Sequence, residues 1–155
     1  MKHLLIIFTL LLTSVGWSKS IDVMDLVERD GLMYEEFSNV PFTGKTTGRI
    51  QRSYKDGKPH GEWLVYYDDG QLWYKENYKD GELHGEQIYY WSNGILSSKS
   101  NYKNGKSHGD DLEYYENGNL RFKGKYKNNK RVGKWFFYQE NGELKETKEY
   151  TMTVN

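Results

Sequence analysis

The 155-residue sequence contains no cysteine and only two prolines. The absence of cysteine excludes disulfide bonds, thiolate metal sites, cysteine nucleophiles and a lipidated amino-terminal cysteine. Basic and acidic residues number 22 each, so no general electrostatic attraction to nucleic acid or to an anionic membrane is expected. Aliphatic side chains are few, whereas aromatic residues reach 16%, with 14 Tyr and 5 Trp. Any core must therefore be built largely from aromatic rings.

The dominant feature of the chain is a repeat with a period of 24 residues. The stretch Tyr54–Gly70 returns three times without a gap, and Tyr150 opens a further copy. Each copy holds two short runs separated by Asp-Gly or Asn-Gly pairs, which supply the positive φ of tight hairpin turns. A fixed period of this size is typical of a repeat array. We therefore predict an all-β fold, an elongated antiparallel meander of stacked β-hairpins over residues 54–77, 78–101, 102–125 and 126–149.

Residues 1–18 have the pattern of a secretory signal peptide. A short basic start is followed by an apolar run at residues 4–12 and by small polar residues. The run is too short for a comfortable membrane span. Cleavage after Gly16, Ser18 or Ser20 would each leave a small residue before the cut, and an uncleaved signal anchor is the alternative. Either outcome places the repeats outside the cytoplasm. We therefore expect a protein that is periplasmic, secreted or associated with the outer envelope.

Residues 21–53 do not follow the 24-residue register and are interpreted as an N-terminal cap. Asp30-Gly31 predicts a small hairpin within residues 26–34, and residues 43–54 read as one extended strand that leads into the array. The terminal units of a repeat protein are usually atypical because they cover the exposed end of the stack.

Side chains on a strand point alternately to its two faces. With this alternation, the four copies carry similar residues on one face of each strand and different residues on the other. The constant face carries the columns of Leu64, Tyr66, Leu72 and Tyr78. Its structural repeat positions, with the glycines that open the strands, are Gly61, Gly85, Gly109, Gly133, Tyr66, Tyr90, Tyr114 and Tyr138. The variable face groups large rings that predict a partner-binding surface, namely Trp63, Tyr67, Trp73, Tyr89, Trp91, Trp135 and Phe137. The alternative is that a curled sheet or the cap covers these rings and makes them a second core.

Two side-chain groups suggest chemistry and are better explained without it. His60, His84 and His108 share one repeat position, but equivalent positions lie about 10 Å apart along such a sheet and could not share a metal ion. Asp111 and Glu113 form an acidic pair beside basic residues of the next strand, which favours cross-strand ion pairing over a catalytic carboxylate pair. We therefore expect no catalytic residue, metal site or cofactor.

The pattern Tyr-Lys-Asn/Asp-Gly-Lys-x-x-Gly-x-Trp-x-x-Tyr-x-x-Asn-Gly-x-Leu resembles the MORN-repeat-variant units of bacterial proteins, an antitoxin-type family. The resemblance covers residues 54–150 with four units, and the third unit departs from it with Asp111 in place of Trp63 and Trp135. It implies a scaffold that contacts proteins or lipids and offers no catalytic residues to carry over. An antitoxin role conflicts with export, since a toxin is met in the cytoplasm.

The sequence thus predicts an exported, non-enzymatic repeat scaffold that binds a protein partner through its aromatic face, with a lipid headgroup or a glycan as the other ligand classes and no nucleic acid. A cell-envelope glycan- or choline-binding module is the alternative, because short Gly-x-Trp-x-x-Tyr-Tyr repeats also resemble those of wall-binding proteins. An antitoxin-like inhibitor of a toxin or an enzyme is a third reading. The last strand, near Tyr150, leaves an edge that could pair with a second copy as a homodimer, whereas Lys145, Lys148 and Glu149 oppose an indefinite fibre.

Overall fold

The computed structural model describes residues 19–151, so the predicted signal peptide over residues 1–18 lies outside the described residues. A single 3-10 turn, Val23–Asp25, accompanies the strands within that range. The strands are β1 (Lys19–Asp22), β2 (Leu26–Arg29), β3 (Leu32–Glu35), β4 (Gly44–Thr47), β5 (Ile50–Lys55), β6 (Lys58–Tyr66), β7 (Leu72–Lys79), β8 (Glu82–Leu83), β9 (Gly85–Tyr90), β10 (Leu96–Lys103), β11 (Lys106–Tyr114), β12 (Leu120–Lys127), β13 (Lys130–Tyr138) and β14 (Leu144–Tyr150).

Twelve of these strands form one sheet in the order β1-β4-β5-β6-β7-β9-β10-β11-β12-β13-β14, with β8 paired to β7. From β4 to β14 each strand runs antiparallel to its neighbours, whereas β1 lies parallel to β4. The predicted all-β meander of stacked hairpins is therefore confirmed. No helix in residues 19–151 has the length and apolar character needed to cross a membrane.

Two kinds of turn alternate along the meander, and each follows from its residues. Between repeats, Asp80-Gly81, Asn104-Gly105 and Asn128-Asn129 have positive φ at both residues, the conformation of a two-residue hairpin turn. Within a repeat the turn ends on a glycine such as Gly70, whose φ is +87°. The Asp69 carboxylate accepts a hydrogen bond from the backbone N–H of Gln71 at 2.9 Å, and Asn93, Asn117 and Asn141 repeat this contact. The side chains therefore fix the turns locally.

A β-bulge in the second strand of each repeat changes which side chains share a face. Val65 lies opposite Tyr74 and Tyr66 lies opposite Leu72, so Trp73 is an extra residue in β7. The same extra residue is Ser97 in β10, Arg121 in β12 and Lys145 in β14. The expectation that the Leu72 and Tyr78 columns share one face was wrong, because the bulge moves Tyr78 to the side of Trp63, with ring centroids 4.4 Å apart.

The N-terminal cap closes the first end of the array. Its hairpin β2–β3 turns at Asp30-Gly31 and lies over Gly57, whose carbonyl accepts from the Met33 N–H at 2.9 Å. Phe42 is 3% exposed and its ring contacts Tyr54 edge-on at 6.0 Å. The cap therefore covers the ring of the first repeat tyrosine.

One strand over residues 43–54 was expected, and this was wrong. The segment folds back on itself as β4 and β5, which pair antiparallel. Gly48 has a φ of +83° and allows the reversal, although the sequence around it, Thr47-Gly48-Arg49, lacks the Asn-Gly or Asp-Gly pair that marks the other turns.

Gly124 contacts Trp135 so closely that we expect Gly124→Ala to destabilise the protein by about 1–3 kcal/mol. An added Cβ would lie 2.1 Å from the Trp135 Cδ2 atom, and the backbone of Gly124 is not in the left-handed region that favours glycine. Denaturant unfolding measures the loss. In a Trp135→Gln background, which copies Gln87 of the second repeat, Gly124→Ala should be neutral or stabilising. Equal losses in both backgrounds would contradict this contact as the cause.

Candidate functional site

The bulges gather the variable side chains and the tyrosine column on one side of the sheet, which we call the tryptophan face. Cross-strand register places Trp63 opposite Glu76 and Val65 opposite Tyr74, and the later repeats follow the same order. Its other members are Gln87, Tyr89, Ser98, Ser100, Asp111, Glu113, Phe122, Gly124, Trp135, Phe137, Glu146 and Lys148. The opposite side, with Leu64, Tyr66, Leu72 and their equivalents, is the leucine face.

The first repeat encloses Trp63 between two tyrosines. The Trp63 ring lies 5.6 Å from Tyr54 and 4.4 Å from Tyr78, and the Arg52 guanidinium lies 4.6 Å from its centroid. Its indole N–H donates to the Ser53 carbonyl at 3.1 Å. Trp63 is half-buried and holds the first two repeats together, so only part of its ring could meet a partner.

A second row of rings in the first two repeats is more accessible. The Trp73 ring lies 5.7 Å from Tyr67 in a tilted arrangement and contacts Tyr74 edge-on at 5.2 Å, and Tyr74 lies 5.1 Å from Tyr89. Trp73 is 44% exposed because it occupies the bulge. Four rings in sequence therefore form a partly open aromatic strip, with Trp73 at its outer side.

The last repeat buries its tryptophan completely. Trp135 is 0% exposed, and the rings of Tyr126, Phe122 and Phe137 lie 5.1, 5.6 and 6.2 Å away. The Arg131 guanidinium lies 4.2 Å from the Trp135 ring and covers it. Trp135 is therefore a core residue, whereas its neighbour Phe137 remains half-buried.

Tyr67 and Trp91 use their polar atoms to join neighbouring repeats. The Tyr67 hydroxyl donates to the Tyr90 carbonyl at 2.7 Å, and the Trp91 indole N–H donates to the Tyr114 carbonyl at 3.3 Å. Tyr115 makes the same bond to the next repeat at 3.0 Å. This column holds tyrosine or tryptophan in the first three copies and keeps a hydrogen-bond donor, so its half-buried rings have a structural role.

Between the two aromatic groups the tryptophan face is polar. Glu76 is buried and its carboxylate accepts hydrogen bonds from Tyr78, Tyr89 and Gln87 at 2.8, 2.8 and 2.7 Å. Burial, together with the hydrogen bonds to Glu76, raises the pKa of Tyr78 and of Tyr89 well above the usual value. Both hydroxyls therefore stay protonated and act as donors to the carboxylate.

The acidic pair of the third repeat is also held by its neighbours. The Ser100 hydroxyl donates to Asp111 at 2.5 Å, and Glu113 forms an ion pair with Arg121. Burial raises the pKa of Asp111, the Ser100 hydrogen bond opposes that rise, and the nearby Glu113 charge adds to it. Both carboxylates thus have partners within the sheet.

A recess of 380 Å³ lies on the tryptophan face between the third and fourth repeats. Apolar rings form part of its wall, and the charged groups around it carry both signs. The residues that define it here are Glu113, Arg121, Arg131, Phe137, Lys145 and Glu146. A recess with rings and both charge signs can hold a mixed surface better than a purely anionic one.

The three histidines each contact the turn of the following repeat. The Nδ1 atoms of His60, His84 and His108 lie 3.2, 3.2 and 3.4 Å from Asp80, Asn104 and Asn128. Within residues 19–151, no group of three His, Asp or Glu residues is placed to hold a metal ion. The histidine column thus links successive turns.

The structure brings the predicted binding residues together only in part. Trp63, Tyr67, Trp73 and Tyr89 share the first two repeats, Trp135 and Phe137 share the last, and Trp91 stands between them. Arg121 and Arg131 were not predicted. A signal for Arg131 was present, because it is the one charged residue in a column that otherwise holds Pro59, Leu83 and Ser107.

Comparison with known families gives a match over the repeat array. The family model described as the MORN repeat variant matches residues 59–80, 83–104, 108–128 and 131–151. MORN repeats are generally modules of protein or membrane-lipid interaction. No curated protein shows significant similarity to the chain.

We predict that Asp111→Asn stabilises the folded protein at neutral pH. The pKa of Asp111 is raised on folding, so its favourable contribution is complete below the ordinary value of 3.8 and is lost as the pH rises through the folded pKa. Asparagine does not ionise, so the variant keeps its stability as the pH rises, and its amide oxygen can still accept the Ser100 hydrogen bond. Urea unfolding from pH 3 to 7, buffered in steps, would show a flatter profile for the variant.

The control is Asp110→Asn, since Asp110 is exposed and its ion pair with Lys125 at 3.3 Å is solvated. That change should alter stability little. A lower stability of Asp111→Asn at neutral pH would show that the Asp111 charge is favourable in the fold, and an unchanged pH profile would show that folding does not raise the Asp111 pKa.

Proposed function

The chain belongs to the MORN repeat variant family, and we propose that it is an exported, non-enzymatic scaffold that binds a protein partner through its tryptophan face. The four matched segments cover most of the array from β6 to the end of β14. The family assigns a general role in interaction, and the side chains of this chain must supply the choice of partner.

The observation that carries the proposal is the bulge column. One backbone feature recurs in all four repeats and presents a different side chain each time, in order Trp73, Ser97, Arg121 and Lys145. Bulges commonly re-aim a side chain beside functional sites. Trp73, Arg121 and Lys145 are exposed, and the two basic residues also line the recess. A constant frame with variable exposed residues supports a recognition surface.

A protein partner fits this surface better than the other ligand classes. Trp73 and its neighbouring tyrosines resemble the aromatic anchors that dominate protein interfaces. The recess carries charged groups of both signs, so it matches a partner surface that also carries both signs better than a uniformly anionic one. A glycan or choline ligand would need only the ring of Trp73 and its neighbours.

The absence of enzymatic activity is part of the proposal. Ser100 holds Asp111 and Arg121 holds Glu113, so neither carboxylate of the acidic pair is free for acid or base catalysis in this arrangement. An antitoxin-type or enzyme-inhibitor role would be a special case of the same binding function, with a toxin or an envelope enzyme as the protein partner.

We expect Trp73→Ser to weaken binding of the protein partner by about 2 kcal/mol, or roughly thirtyfold, as for a central aromatic anchor. Serine occupies the equivalent position as Ser97, so the fold should be kept. A pull-down with the mature chain identifies the partner, and titration calorimetry with the purified partner measures the affinity. Phe37→Ser is the control, because Phe37 is 94% exposed but lies outside the tryptophan face. Equal affinities for wild type and Trp73→Ser would refute the assignment of this face.

Glycan fragments and choline are tested on the same pair of variants by tryptophan fluorescence. If these ligands alone cause a saturable fluorescence change in the wild type, and Trp73→Ser abolishes it, the protein would instead be assigned to the envelope-binding class.

With a signal peptide over residues 1–18, we expect the mature protein to begin at Lys19. Cleavage after Gly16 or Ser18 keeps β1 whole, whereas cleavage after Ser20 would remove its first two residues. Mass spectrometry of the chain recovered from cell fractions gives the terminus. Leu10→Arg interrupts the apolar run and should leave a full-length chain in the cytoplasm. A wild-type chain that keeps Met1 and stays cytoplasmic would contradict export.

A further inference from the structure

The strand β14 leaves one side of the sheet open. It pairs with β13, and no other strand in residues 19–151 lies on its outer side. Every residue from Leu144 to Glu149 is exposed. An edge of this length presents a row of backbone N–H and C=O groups that can template pairing with another strand. The side chains of β14 then decide which strand fits.

The sequence of β14, Leu-Lys-Glu-Thr-Lys-Glu-Tyr, is complementary to itself when two copies run antiparallel. If Thr147 lies opposite Thr147 of a second copy, Glu146 lies opposite Lys148 on the tryptophan face. Thr–Thr pairs and opposite charges are favourable cross-strand neighbours. Because the arrangement is two-fold symmetric, this charge pair occurs twice, and the bulge residue Lys145 lies outside it.

Other registers of the same antiparallel pairing place like charges together. A shift of one residue would oppose residues that point to different faces, such as Glu146 and Glu149, so a two-fold pair of these strands excludes it. A shift of two residues puts Glu146 or Lys148 opposite its own copy. Like charges directly opposite are destabilising, so the charges select one register.

The equivalent internal strands lack this property. The position of Thr147 is occupied by Lys75 in β7, Lys99 in β10 and Lys123 in β12. Pairing any of those strands with itself about the same centre would place two lysines in contact. Among these four equivalent strands, the one with an open edge is thus the one that can pair with itself.

We propose that the chain forms a two-fold homodimer in which the β14 strands of two copies pair antiparallel, centred on Thr147. Glu146 and Lys148 already form an ion pair at 3.0 Å along the strand, so the four charges at the centre alternate in sign around the axis. The contact is isologous and uses the edge of each copy once, which closes the assembly at two. This inference is independent of the partner proposed for the tryptophan face.

The first test replaces the central residue of the full chain. Thr147→Lys introduces the lysine of the internal strands, which within one chain lies on the same face as Lys134, so its association is compared only after the variant is shown to be folded. It should weaken the dimer by about tenfold or more, because two lysines would meet at the axis. Thr147→Val keeps the branched shape without a charge and should remain dimeric. Sedimentation analysis across a wide range of protein concentrations measures the dissociation constant, and circular dichroism checks the fold.

The second test uses charge reversal and mixing. Glu146→Lys and Lys148→Glu should each be monomeric, since each places like charges opposite one another. An equimolar mixture of the two variants should restore a dimer, because every cross-strand pair is then opposite in charge again. Added salt should weaken both the wild-type dimer and this mixed dimer.

Three results would overturn the proposal. The wild-type chain could remain monomeric at all concentrations. A dimer could persist unchanged in Thr147→Lys and in both charge variants, which would place the interface elsewhere. The two charge variants could fail to associate on mixing although each is folded, which would refute the register.

Discussion

One extra residue in the second strand of each hairpin determines the arrangement of the whole array. Because Trp73 is inserted between the positions opposite Val65 and Tyr66, the residues after it change sides relative to Leu72. Tyr78 therefore joins Trp63, and the repeat tyrosines become part of the tryptophan face. The same bulge in the other three repeats makes this a property of the repeat. The aromatic core and the exposed bulge column both follow from this register.

The two ends of the sheet are stabilised differently from its middle. On the tryptophan face, equivalent cross-strand positions hold Arg52 over Trp63 at one end and Gly124 beneath Trp135 at the other. In between, hydrogen-bonded pairs replace the rings, Glu76 with Gln87 and Ser100 with Asp111. Residues on neighbouring strands therefore match in size or polarity as pairs, which suits a repeat protein in which each unit contacts only its neighbours. A change at one position is felt mainly by its partner on the next strand.

The sequence was sufficient for the hairpins of the repeat array because their turn residues are local signals. Asp80-Gly81 and Asn104-Gly105 adopt positive φ whatever packs against them, and the regular spacing of such pairs defines the hairpins. The face of Tyr78 could not be read in the same way, because a period of two assumes that no strand contains a bulge. The burial of Trp135 depended on Gly124, a single small residue on the neighbouring strand. The large rings were thus predicted as a group, whereas their separation into core rings and an exposed Trp73 required the register.

The charges of the last hairpin differ on its two faces. On the leucine face of the first two repeats, an acid on the first strand pairs with a base on the second, Glu62 with Lys75 and Glu86 with Lys99. In the last repeat the two signs are exchanged, because Lys134 on the first strand lies opposite Glu149 on the second. That reversal accounts for the loss of lysine at Thr147 within a single chain, since a lysine there would lie on the same face as Lys134.

Charge pairing within one chain does not explain the charges that β14 carries on the tryptophan face. Glu146 and Lys148 lie opposite Phe137 and Trp135, which carry no charge. Lys148 gains from the Phe137 ring at 5.3 Å, but the alternation of acid and base along the strand has no counterpart on β13. The charge order on the tryptophan side of β14 is therefore a property of the open edge and is not required by the hairpin that it completes.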